Sequence, residues 1–146
     1  MSYHLYKAIT IGYGSVWTFG ECLAINFGSY NSGKVYYLKA NFHSYSPNWY
    51  VNKVGWYPVI GKSVSICTGL KDCHGQYVYE GDILAMRDDS KTPKIVIDRH
   101  LCSLVVHDIE TGLKEFVNDY NRFQNYIIIG HKYTTPQFLK DINFKI

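Results

Sequence analysis

Apolar and polar residues alternate along this chain in short runs broken by glycine, proline and asparagine. Tyr3 to Ile11 alternates loosely, and Gly12-Tyr13-Gly14-Ser15 has turn chemistry. Val16 to Ile25 reads as a strand with a bulge or close approach at Gly20. Asn31-Ser32-Gly33 marks a turn, and Lys34 to Phe42 a strand that forms a hairpin with Leu23 to Phe27. His43 to Gly55 shows no period and reads as a loop carrying aromatics. Trp56 to Val59 then leads through Ile60-Gly61-Lys62 into a strand from Ser63 to Cys67.

The second half is patterned more sharply. Asp72-Cys73-His74-Gly75 is a tight turn in which the aspartate can accept forward backbone N–H groups and Gly75 takes a positive φ at low cost. Gln76 to Tyr79 is a strand, Glu80-Gly81-Asp82 breaks it, and Ile83 to Met86 is apolar. Arg87 to Pro93 reads as a polar turn. Lys94 to Asp98, Ser103 to Asp108 and Leu113 to Val117 read as strands. Tyr126 to Tyr133 is the strongest buried-strand run. Thr134 to Ile142 predicts one short closing helix, with Thr135 as N-cap and Pro136 where a missing N–H costs nothing.

Strands at this spacing, with no window of three helical turns, predict a mostly-β fold. The expected architecture is an N-terminal antiparallel sheet over residues 1–66 joined to a C-terminal SH3-like small barrel with a short terminal helix over residues 67–146. The length of 146 residues, 47% hydrophobic, is enough to bury a core. No stretch of about eighteen apolar residues occurs, so no membrane span is expected. Met1-Ser2-Tyr3-His4 shows no signal-peptide pattern, and a cytoplasmic location is the expectation.

Charge and aromatics are unevenly shared. Residues 1–66 hold five lysines against Glu21 alone, net +4, while ten bases face eleven acids in residues 67–146, net −1. All three tryptophans and nine of fourteen tyrosines precede Cys67. Positive charge interleaved with aromatics is what holding a stackable, phosphate-bearing ligand requires. The candidate ligand-binding set is Trp17, Lys39, His43, Tyr45, Trp49, Tyr50, Lys53 and Trp56. In a half-buried sheet such rings also serve as packing.

Catalytic chemistry finds little purchase. Cys22, Cys67, Cys73 and Cys102 match no zinc-ligand spacing and read as reduced thiols, so no metal or cofactor is expected. Glu80 and Asp82 share a strand face as an acid/base pair would. The competing reading makes Glu-Gly-Asp a turn in which Asp82 accepts backbone N–H groups. The histidines at 43, 74, 100, 107 and 131 are scattered, and no phosphate loop, nucleophile elbow or HExxH is present. The expectation is a protein that is not an enzyme.

The stretch TGLKDCHGQYVYEGDIL, from Thr68 to Leu84, resembles the signature of the YopX family of bacteriophage and prophage proteins. Thr68, Gly69, Leu70, Lys71, Asp72, Gly75, Tyr79, Glu80, Gly81, Asp82 and Ile83 carry the likeness. The tail is similar too, through Ile129-Gly130, Tyr133, Pro136 and Leu139, and Gly14, Trp17 and Gly20 are similar to the start of one subgroup. The resemblance runs mainly from about Ser65 to Leu139. It implies a phage protein acting in the infected cell's cytoplasm, and no established reaction or agreed binding residues.

Two function classes remain. One is a binding protein that captures a small anionic, nucleotide-like ligand, in the service of blunting host defence. The other is an adaptor for nucleic acid or a host protein. Exposed sheet edges add the expectation of a homo-oligomer.

Overall fold

A computed structural model of the chain describes residues 4–12, 16–27, 34–43, 55–101, 103–117 and 122–139. The chain divides into two compact units, Met1–Ile66 and Cys67–Ile146. All the strands that it pairs are antiparallel.

The N-terminal unit holds β1 (Tyr6–Ile9), β2 (Trp17–Phe27), β3 (Lys34–His43) and β4 (Gly55–Val59), side by side in the order β4-β3-β2-β1. The β2–β3 register slips on either side of Gly20, so the bulge read from that glycine is present. β4 is a strand that the sequence hides, because Pro58 cannot donate to a ladder. It is tolerated because β4 lies at the edge of the sheet.

The sheet curls far enough for its two ends to touch. Thr10, just past β1, bridges Val59 on β4, and Ile11 N–H donates to Pro58 O at 2.9 Å. Ala8, Leu38 and Val59 form the core beneath, with Tyr6, Leu23, Tyr36 and Val64 packed against them. Ser63 ends a short 3-10 helix (Gly61–Ser63) and is buried, its hydroxyl accepting Ile9 N–H at 2.8 Å and donating to Ile60 O at 2.7 Å. The two hydrogen bonds offset the cost of taking this hydroxyl out of water.

The chain passes between the units inside β5 (Ser65–Lys71), whose first two residues pair with β1. In the C-terminal unit, Cys67 and Lys71 of β5 pair with β6 (Tyr77–Tyr79). A five-stranded sheet follows, ordered β10-β9-β8-β7-β11 and made of β7 (Asp82–Met86), β8 (Asp89–His100), β9 (Ser103–Asp108), β10 (Lys114–Phe116) and β11 (Tyr126–His131).

Four strands therefore meander and the fifth returns beside the first. The expected barrel is an open sheet among the described residues, because β10 and β11 lie at its two edges and do not pair. Both faces of β7 and β8 are covered. Leu84, Ile95 and Ile97 pack with Val78, Val106 and Phe123, while Ile83 and Val96 pack with Ile109 and Leu139. A strand buried on two faces reads as a continuous apolar run, as Ile83 to Ala85 and Ile95 to Ile97 do.

Three local expectations are corrected. β8 begins at Asp89, inside the stretch read as a polar turn, because its exposed first half carries polar side chains while still pairing with β7 through a register shift near Pro93. Tyr126 to Gly130 are half-buried, since β11 is an edge strand and one side lacks a neighbouring strand to cover it. The closing helix is a single 3-10 turn, Pro136–Leu139, among the described residues. Thr135 does not cap it through its side chain: its hydroxyl turns back to accept His131 N–H at 2.9 Å and donate to His131 O at 3.0 Å. No helix among the described residues is long and apolar enough to cross a membrane.

Candidate functional site

Most polar groups between Cys67 and Asp82 hold backbone in place. β5 is bulged, pairing with β6 only at Cys67 and Lys71. The bulge satisfies its own amides: Gly69 N–H donates to Cys67 Sγ at 3.3 Å and Leu70 N–H to Thr68 Oγ1 at 3.1 Å. Thr68 also donates to Val78 O at 2.8 Å, and Gly69 sits at φ 81°. Asp72 is 4% exposed. Its Oδ1 accepts His74 and Gln76 N–H, each at 2.9 Å, and its Oδ2 accepts Ile128 N–H at 3.2 Å. Cys73 N–H donates to Tyr126 O at 2.9 Å. The turn therefore does more than reverse the chain: it covers the outer edge of β11 in place of a strand.

A second corner forms at Glu80-Gly81-Asp82. Asp82 Oδ2 accepts Tyr79 N–H at 2.7 Å, the backbone role read from the sequence. Glu80 takes Arg99 in two hydrogen bonds, Nε to Oε2 at 3.1 Å and the guanidinium terminus to Oε1 at 2.8 Å. Gly81 lies at φ 89°, and a Cβ there would run into the His131 ring. That ring is 3% exposed. Its Nδ1 accepts Tyr133 N–H at 3.0 Å, which leaves the proton on Nε2 to donate to Glu80 O at 3.1 Å. Arg99 and His131 are partners of the Glu80 corner that the sequence did not reveal, because neither is close to Glu80 along the chain.

The N-terminal candidates divide. Lys39 on β3 stands directly opposite Trp56 on β4, and on its other side opposite Cys22 of β2. All three are exposed, Trp56 by 50%. Directly opposed residues have Cβ atoms about 5 Å apart. Trp17 is half-buried at the start of β2, with the Lys7 ammonium 4.6 Å from its ring centre. His43 ends β3 opposite Thr18, and only its backbone is described. Tyr45, Trp49, Tyr50 and Lys53 lie outside the described residues.

The electrostatically shifted groups lie elsewhere. His107, buried on β9, is pushed below 6.5 by burial and then by Lys114. Lys94 is held above 10.5, chiefly by the Asp108 carboxylate 3.5 Å away. Among the described residues no three His, Cys, Asp or Glu side chains gather to hold a metal ion, and Cys22, Cys67 and Cys73 form no disulfide with one another.

Fold and geometry together define a small all-β protein of two units in which the sequence signature serves mainly as framework. The chain belongs to the YopX family: the family model described as YopX protein matches residues 24–140. The match begins well ahead of the central signature and takes in β3 and β4. No curated protein matches the chain.

Proposed function

We propose that this protein is a non-catalytic accessory binding protein of a bacteriophage or prophage, acting in the cytoplasm of the infected cell. It captures a small nucleotide-derived anion on the outer face of its N-terminal sheet, and sequestering such a signal blunts a host defence. The observation that carries this reading is the Lys39–Trp56 pair, an exposed lysine and an exposed tryptophan directly opposite each other on neighbouring strands. A base stacks on the ring while a phosphate meets the charge. The phage context and the counter-defence role rest on family kinship and not on geometry.

Three further points support the reading. Glu80 is engaged by Arg99 and Asp82 by Tyr79, which argues against an acid/base pair. The four-strand meander with a fifth strand returning beside the first supports an SH3-like reading of the C-terminal unit, its sheet open among the described residues. The edge strand β10, with Phe116 exposed, offers an edge for a homo-oligomer.

The test is a set of thermal melts against a nucleotide panel. One nucleotide is expected to raise the melting temperature, because a ligand of the folded state adds apparent stability. Trp56→Ala and Lys39→Gln, with their ligand-free melts unchanged, are expected to abolish that shift. If no nucleotide acts, and unrelated oligonucleotides bind with a steep loss on adding salt, the adaptor reading replaces this one.

A further inference from the structure

A hollow lies within the C-terminal unit, beside the signature turn. It exists because β5 bulges away from β6 between Cys67 and Lys71. Two of the bulge amides already have partners in Cys67 and Thr68, so the strands gain little by closing up. The result is an open cleft of about 620 Å³, lined among others by Gly69, Leu70, Lys71, Gly75, Tyr77 and Gln124. That is within the range of small-molecule sites. Its walls are fixed in advance, since Asp72 pins the turn through three backbone amides.

The lining sets the ligand's chemistry. Lys71 is exposed, with its ammonium 5.0 Å from the centre of the Tyr77 ring. Among the described residues of the lining the carboxylate is that of Asp72, whose charge is met by three N–H groups and which is 4% exposed. Leu70 gives a half-buried apolar surface beside the ring, and the exposed Gln124 a side-chain amide at the rim. At Gly75 an added Cβ would meet nothing within 4 Å, so no neighbouring side chain fills the space beside it.

We propose that this cleft is a separate binding site, taking a flat ring that carries one anionic group, with the ring along Tyr77 and Leu70 and the anion on Lys71. The site is independent of Lys39 and Trp56 and stands whether or not the N-terminal face binds a nucleotide.

Benzoate and phenyl phosphate are the probes, followed by amide chemical shifts of the labelled full-length protein, with benzyl alcohol and benzylamine as neutral and cationic controls. Both anions are expected to move the amides of Gly69, Lys71, Gly75 and Tyr77, and the controls are not. Lys71→Gln is expected to weaken both anions by about tenfold or more, the loss of one charge-assisted hydrogen bond. Lys71→Arg retains binding, and Trp56→Ala leaves it unchanged. The proposal is overturned if the controls move the same amides equally, if Lys71→Gln binds as well as the parent with its melt intact, or if the shifts fall on β3 and β4 instead.

Discussion

The carboxylate of Asp72 accepts the backbone N–H of Ile128 at 3.2 Å, across 56 positions of sequence. One side chain thus closes its own turn through His74 and Gln76 and ties that turn to the return strand of the sheet. Asp72→Ala leaves three amide donors without this acceptor. The expected loss is about 3 kcal/mol or more, since hydrogen bonds to charged groups contribute roughly 1.5–3 kcal/mol each and do not add fully. Asp72→Asn keeps one acceptor oxygen and should lose less. Urea unfolding of the two variants beside the parent measures the difference.

Gly75 and Gly81 separate two reasons for a glycine. Both have positive φ, 78° and 89°, but only Gly81 has a side chain standing where its Cβ would go. Gly75→Ala is expected to cost about 1–2 kcal/mol, the strain of the left-handed region. Gly81→Ala adds a collision with His131 and is expected to cost clearly more, by displacing a ring that holds both Glu80 O and Tyr133 N–H. Equal losses in a paired melt would mean that the ring moves aside freely.

Leu101 is a surface position where the native residue is the poorer choice. It has φ 56°, and 82% of its surface is exposed. Asparagine tolerates that conformation far better than leucine, and little packing is given up. Leu101→Asn is expected to raise stability by up to about 1 kcal/mol, part of the left-handed strain, read as a higher denaturation midpoint.

Acid should weaken the protein partly through Asp108. Burial alone would push its carboxyl up, yet the Thr111 N–H and the Lys94 ammonium more than offset this and hold it below 3.8. A carboxyl lowered on folding adds stability above its unfolded value, and that stability is lost as pH falls through the folded value. Asp108→Asn should therefore be less stable than the parent near pH 6 and converge with it near about pH 2. Lys94 works in the opposite sense: raised above 10.5, it stabilises below that value and ceases to as pH climbs past its folded value. Urea midpoints across the pH range test both limbs.

Local chemistry was legible in the sequence, and long-range partnership was not. The turn at Asp72, the corner at Asp82 and the bulge at Gly20 follow from what those residue types do with nearby backbone, and all three are present. Nothing along the chain marks Ile128, Arg99 or His131 as their partners, because contact between distant segments leaves no period. Pro58 concealed an edge strand, and the polar start of β8 passed for a turn because its exposed side chains mimic one. Of the binding candidates, the register brings Lys39 and Trp56 together, a pairing the spacing between them could not show.

The strand Ser65–Lys71 belongs to both halves of the chain at once, with Ser65 and Ile66 paired to β1 and Cys67 and Lys71 paired to β6. Recombination that exchanged one half for another by breaking between Ile66 and Cys67 would fall inside a strand and not in a loop, yet each half would keep its own strand pairs.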